Sequence, residues 1–205
     1  MHFKLTEEIL KLSNSKFWDT AKLEWHFNYA YYSEENETCL CGHFPIKNIC
    51  VIKNTENENI TEVGNCCINK FLGIKDANKI FTSITNLKGN IHKSMSKEAL
   101  MYLNSKNKLT DFEFSFYVSI LRKRILSEKQ FNIKMRINQK FIDFTSYESN
   151  SIFRKINIVL RWAENNPWFN TDFVLSLKTC CERTGKLTEK QKTSLENIIS
   201  KMKIN

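Results

Sequence analysis

Residues 39–50 read CLCGHFPIKNIC and residues 63–71 read VGNCCINKF, which places five of the chain's seven cysteines within one short stretch. Cys39 and Cys41 share a tight, Gly-containing turn in which free backbone amides can point at two thiolates. Cys50 opens a hairpin signal: two β-like runs, Asn48–Lys53 and Ile60–Val63, flank the turn-forming NTENEN. Cys67 stands just ahead of an apolar helical pattern, so its sulfur would sit near a helix N-terminus, where the dipole favours a thiolate. Small core cysteines would not need this Gly, Pro and hairpin punctuation. Four thiolates make a closed tetrahedral shell with no position left for water. The pattern therefore predicts one structural Zn2+ held by Cys39, Cys41, Cys50 and Cys67, with Cys66 in place of Cys67, or His43 in place of a thiolate, as the alternatives the spacing leaves open.

Upstream of this segment, Leu5–Leu12 and Phe17–Trp25 carry apolar residues at helical spacing, and Trp25, Phe27, Tyr29 and Tyr31 then alternate as a strand does. The acidic stretch Glu34–Glu37 reads as a loop. Downstream the period becomes helical to the end, predicting helices near 76–88, 96–105, 111–124, 128–145, 151–165, 172–184 and 189–202. Three of these begin with capping boxes, Thr110 with Glu113, Ser127 with Gln130 and Thr188 with Gln191. An internal repeat links 110–140 to 171–201: Thr110-Asp111-Phe112 recurs as Thr171-Asp172-Phe173, and Leu126-Ser-Glu-Lys-Gln130 as Leu187-Thr-Glu-Lys-Gln191. Two helical hairpins of like construction would stack, burying Phe112, Phe116, Ile133 and Ile137 against Phe173, Leu177, Leu195 and Ile198. Cys180 and Cys181, inside one of these helices, read as core.

The string C-x-C-G-H-x-P-I, then a Cys, an I-x-N strand end at Ile52–Asn54, V-G-x-x-C and K-F, resembles a treble-clef-type zinc module of small phage and mobile-element proteins. In that set a single cysteine follows V-G-x-x, which maps to Cys67 and makes Cys66 the extra one. The resemblance covers about residues 17–75 and implies zinc binding in a setting of nucleic-acid transactions or host–parasite conflict.

The net charge of +9 is unevenly placed, at −3 over residues 1–37, +1 over 38–75 and +11 over 76–205. Such an excess favours an acidic partner, most often nucleic acid. The densest cations are Arg122, Lys123 and Arg124, continued by Lys129, Arg136 and Lys140 at i, i+7 and i+11 of one helix, a stripe suited to phosphate backbone contact. Arg154, Lys155 and Arg161 form a smaller set near Trp162 and Trp168, whose rings read as core.

His2, His26, His43 and His92 are scattered, and the chain has neither a nucleophile elbow nor a phosphate-cradling Gly-rich loop, so the reading is non-enzymatic with no small-molecule substrate. Charges threaded through the N-terminus argue against a signal peptide, and no run approaches the roughly 20 apolar residues of a membrane span. A cytoplasmic protein with reduced thiols follows, host cytoplasm if of phage origin. The expected fold is mainly α, with residues 1–75 as an N-terminal helix plus a treble-clef-like zinc-binding β-hairpin module and residues 76–205 as a helical domain containing the repeat. The expected function is a zinc-dependent nucleic-acid-binding protein. The rival is a protein-interaction module, such as a phage-type inhibitor of a host enzyme, docking through the aromatic strand Trp25–Tyr31 or the acidic N-terminal third.

Overall fold

The computed structural model describes residues 3–73 and 76–204. It is mainly helical, with one three-stranded antiparallel sheet among the described residues. The chain divides into two compact units, one reaching to Asn86 and the other starting at Leu87, so the boundary falls inside the helix that follows the 75/76 division read from sequence.

In the first unit, α1 (Phe3–Leu12), α2 (Trp18–Ala21) and a 3-10 turn (Lys22–Glu24) lead into β1 (Trp25–Glu37), β2 (Ile46–Asn54), β3 (Ile60–Gly64) and α3 (Asn65–Leu72). The sheet order is β1-β2-β3, with Trp25 opposite Asn54 at one end and Ile49 opposite Gly64 at the other. The central strand runs through the core: Ile49, Cys50, Val51 and Ile52 are all buried, as the unbroken apolar run ICVI of a two-sided strand requires. Trp25 and Tyr31 are buried as well, which removes both from the aromatic contact surface expected of β1.

The acidic stretch Glu34–Glu37 is strand rather than loop. Pairing of Glu37 with Ile46 resumes beyond an irregularity after Tyr32, and the Ser33 hydroxyl donates to Glu37 Oε1 at 3.2 Å. Because Glu34, Glu35 and Asn36 are exposed at a sheet edge, their charge opposes no burial, and pairing overrides weak β-propensity.

A polar clasp closes the Trp25–Asn54 end. The buried Glu24 carboxylate accepts from the amides of Asn14 (2.8 Å) and Ser15 (2.7 Å) and from Asn54 Nδ2 (2.7 Å). Burial pushes its pKa up, but these donors more than offset it, so the net shift is downward. With the folded pKa below the unfolded one, the stability this group contributes is present above about pH 4.3 and lost as pH falls through the folded value. Glu24→Gln is expected to flatten that acid-side fall in the urea midpoint relative to the parent; an unchanged slope would assign it to other carboxylates.

After α4 (Ala77–Gly89), the second unit comprises α5 (Lys97–Ser105), α6 (Asp111–Ile120), α7 (Glu128–Phe144), α8 (Tyr147–Glu164), α9 (Asp172–Thr184) and α10 (Glu189–Lys201). All three capping boxes form, with hydroxyl and long side chain bonded reciprocally. The repeat is looser in detail. Thr171 makes no side-chain cap, and Asn170 Oδ1 instead accepts from the Asp172 amide at 2.7 Å. Nor do the hairpins bury their aromatic residues on each other: Phe112 is 64% exposed and Phe173 44%. α8 intervenes, and Ile152, Ile156 and Val159 form the core with Val174, Leu177 and Leu195. Each such buried aliphatic side chain is worth about 1.5–3 kcal/mol, so α8 provides the apolar face that α9 and α10 cover.

Candidate metal centre and basic surface

The turn after β1 is closed by two backbone bonds, Gly42 N to Cys39 O at 2.7 Å and Cys39 N to His43 O at 2.9 Å. Gly42 takes φ +85°, a left-handed conformation that L side chains rarely adopt, so a glycine is required where the chain reverses. The reversal brings Cys39 and Cys41 beside the end of β3, where Gly64 is the N-cap of α3 and Cys67 is the third residue of that helix. The Sγ atoms of Cys39, Cys41 and Cys67 lie within 4.8 Å of one another, and all three side chains are buried. The Cys39–Cys67 separation is 3.6 Å. Sulfurs about 2.3 Å from a tetrahedral ion stand about 3.8 Å apart, so this spacing fits a thiolate-bound metal.

The surroundings favour an anion. The Gly64 amide donates to Cys39 Sγ at 3.2 Å, and the Cys41 amide also faces it. The thiol of Cys67 donates to Cys39 and, with burial opposing and the two amides assisting, holds the Cys39 pKa well below the usual thiol range. Cys67 is correspondingly raised, since its proton is held by Cys39 and its own ionisation would place two like charges together in a buried site. A divalent cation bound here would displace the remaining protons and offset two of the three thiolate charges. Cys39, Cys41 and Cys67 can thus bind a metal ion.

Of the residues read as ligands, these three come together and Cys50 is not in the group. Cys50 lies in the buried centre of β2, where burial and the Cys39 charge push its thiol up. The alternatives separate clearly: Cys66 is exposed where Cys67 is buried, and His43 is exposed outside the cluster. Residue 66 is the second position of α3 and residue 67 the third, so a rotation of one residue turns one sulfur to solvent and the other inward. Farther on, Cys181 is buried in the core of the second unit, and Cys180 packs against it half-buried.

The basic residues are placed differently from one another. α6 ends at Ile120, so Arg122, Lys123 and Arg124 lie in the connection to α7 rather than on a helix, and all are exposed. Lys129 and Arg136 are exposed on α7. Lys140 is engaged, its Nζ 2.6 Å from Glu113 Oε1, the same carboxylate that closes the Thr110 capping box. Lys134, between Lys129 and Arg136 in the sequence, is buried and donates to the His92 carbonyl at 2.8 Å. Its neighbour one turn on, Asn138, is fully buried and ties the 91–95 segment to α7. The signal for both was a polar residue on the apolar face defined by Ile137 and Phe141.

Among the described residues no helix is long and apolar enough to cross a membrane. No family model, curated protein or solved structure matches this chain.

Proposed function

We propose that Cys39, Cys41 and Cys67 hold one Zn2+ in a structural role, and that the protein is a non-enzymatic nucleic-acid-binding protein of phage or mobile-element type acting in the cytoplasm. The observation that carries the metal is the meeting of three buried sulfurs from a turn and a helix start, with two amides already facing one of them. Soft thiolates select zinc over the hard cations magnesium and calcium. The ion would pin the β1–β2 turn to the first turn of α3. Metal analysis of protein purified without chelator is expected to give one zinc per chain, and metal-free folded protein would overturn the assignment. Cobalt substitution in the parent and in Cys50→Ser then separates a four-sulfur shell, whose charge-transfer band weakens in the variant, from a three-sulfur shell completed by another donor.

Nucleic-acid contact is supported by the exposed cations Arg122, Lys123, Arg124, Lys129 and Arg136 in a unit of net charge +11. Phosphates are the matching ligand, since side chains in a loop and along one helix face can follow a backbone without reading base edges. Reversing Arg122, Lys123 and Arg124 to glutamate is expected to weaken binding by a similar factor for unrelated sequences. The salt dependence should flatten by up to about 2.7 in log–log slope if each cation neutralises one duplex phosphate. Titration of labelled oligonucleotides at several salt concentrations measures both, and a variant that binds as the parent does would remove the surface from consideration.

A second reading, a protein-interaction module, is favoured by apolar side chains standing out from the first unit, with Phe17 79% and Leu23 80% exposed. Retention of a protein partner by the parent and its loss in Phe17→Ser/Leu23→Ser, with no oligonucleotide binding, would support it instead.

A further inference from the structure

We infer that the groove between the Leu87–His92 segment and α7 is a binding site for one nucleotide, taken either free or as an unpaired unit of a strand. The choice of ligand rests on the nucleic-acid reading above, to which the groove adds a pocket apart from the Arg122–Arg124 cluster. Its volume is about 660 Å³, within the roughly 300–1,000 Å³ typical of small-ligand sites.

The construction of one wall marks this groove out. Residues 91–95 are not helical, yet buried polar side chains from two helices hold them. Asn138 Nδ2 donates to the carbonyls of Ile91 (2.7 Å) and Lys93 (2.8 Å), Lys134 Nζ donates to that of His92 (2.8 Å), and Tyr117 Oη accepts from the Met95 amide (3.0 Å). Lys134 thereby buries an ammonium whose one partner among the described residues is a neutral carbonyl, where an apolar side chain would avoid the desolvation. What the molecule gains is a wall of fixed shape.

The lining suits a nucleobase. Leu87, Ile91 and Ile142 supply apolar surface, and Asn90, His92 and Gln139 supply polar edges. Asn90 Oδ1 is occupied by the His92 amide (2.9 Å) and Gln139 Nε2 by Asp143 (2.8 Å). That leaves Asn90 Nδ2 as a donor and Gln139 Oε1 as an acceptor without partners among the described residues. A donor and an acceptor beside apolar walls match the edge and faces of a planar heterocycle. The His92 ring is held too, stacked on Phe131 at 5.2 Å and 20°.

The charge suits a phosphate. The lining includes Lys88 and no carboxylate among the described residues, and Lys93, next to His92, is exposed. Asp143, which fixes the Gln139 amide, faces Lys186 at 3.4 Å, so its charge is matched.

Gly89 provides a variant that blocks the groove without overpacking the fold: it lies in the lining, and a Cβ built on it meets no atom within 4 Å. The test is isothermal titration of the parent, Gly89→Leu and Gln139→Ala with the four ribonucleoside monophosphates and with inorganic phosphate, alongside anisotropy with a labelled single-stranded oligonucleotide. Nucleotide affinity is expected to fall at least about tenfold in Gly89→Leu and roughly fivefold in Gln139→Ala, with little change in melting temperature and with inorganic phosphate bound far more weakly. The same losses on the oligonucleotide, without mononucleotide binding, assign the groove to an unpaired unit of a strand. Variants that bind every ligand as the parent does overturn the site, as does a parent that binds inorganic phosphate as tightly as any nucleotide. If no mononucleotide binds and oligonucleotide binding survives Gly89→Leu, the groove alone is overturned and the charge-reversal result still decides the phosphate surface. Mononucleotide binding without oligonucleotide binding keeps the groove and overturns the nucleic-acid reading, and a parent that binds neither overturns both.

Discussion

Cys67→Ser is expected to leave purification with its zinc largely lost and its first unit no longer cooperatively folded. On the proposed assignment the ion would contribute folding free energy, because its site exists only in the folded chain. At a free zinc level a thousandfold above Kd, its loss removes about 4 kcal/mol, which is most of the 5 kcal/mol or so that holds a marginal domain together. Cys39→Ser should behave alike, since Cys39 is the sulfur that both the Cys67 thiol and the Gly64 amide address. The informative control is Cys66→Ser: one residue away, exposed and outside the sulfur group, it should retain full zinc and parental stability. Metal content by mass spectrometry and melting with and without chelator provide the readout. Should Cys67→Ser keep its zinc and its melting temperature while Cys66→Ser loses them, the ligand would be the neighbouring sulfur.

In the second unit the largest effect is expected at Asn138. Its Oδ1 accepts from the Tyr117 hydroxyl at 2.6 Å, and its Nδ2 donates to the carbonyls of Ile91 (2.7 Å) and Lys93 (2.8 Å). Tyr117 in turn accepts from the Met95 amide at 3.0 Å. Asn138→Leu leaves the Tyr117 hydroxyl and two carbonyls without their partner; at roughly 1–3 kcal/mol for each group that stays desolvated, a loss of up to about 3–9 kcal/mol follows. Tyr117→Phe leaves two groups without a partner, the Met95 amide and Asn138 Oδ1, but keeps both Asn138 Nδ2 bonds, so it should cost less, about 2–6 kcal/mol. Denaturant midpoints give the order, and hydrogen exchange at Met95 locates it. Near-parental stability of Asn138→Leu would mean that the 91–95 segment is held by Lys134 and by the His92–Phe131 stacking alone.

How much of this was legible in the sequence depended on whether the deciding interaction was local. The three capping boxes are closed within four residues, and all three formed where their letters stood. The β2–β3 hairpin and α3 followed from alternation, turn residues and a change of period. The start of α8 was missed by four residues because Ser146 caps the Ser149 amide, a bond available to any of several serines and threonines in that stretch. Long-range matters were not readable. Nothing in the letters says that α8 would take the place opposite α9 and α10, or that Glu113 would claim Lys140 across 27 residues. The sulfur cluster lay between these cases: the C-x-C-G turn and the helix start announced themselves, whereas Cys50 shows only as an apolar letter in an apolar strand, compatible with either facing.

The end of α1 has a consequence for synthesis. Its last carbonyl, on Leu12, accepts from Asn57 Nδ2 at 3.0 Å and from Asn59 Nδ2 at 2.8 Å, both in the turn between β2 and β3. A ribosome releases Leu12 some forty-five residues before either donor exists. The nascent N-terminal segment therefore emerges without its stop, and acquires it only when the hairpin folds back, so the first helix is completed after the sheet that follows it in the chain.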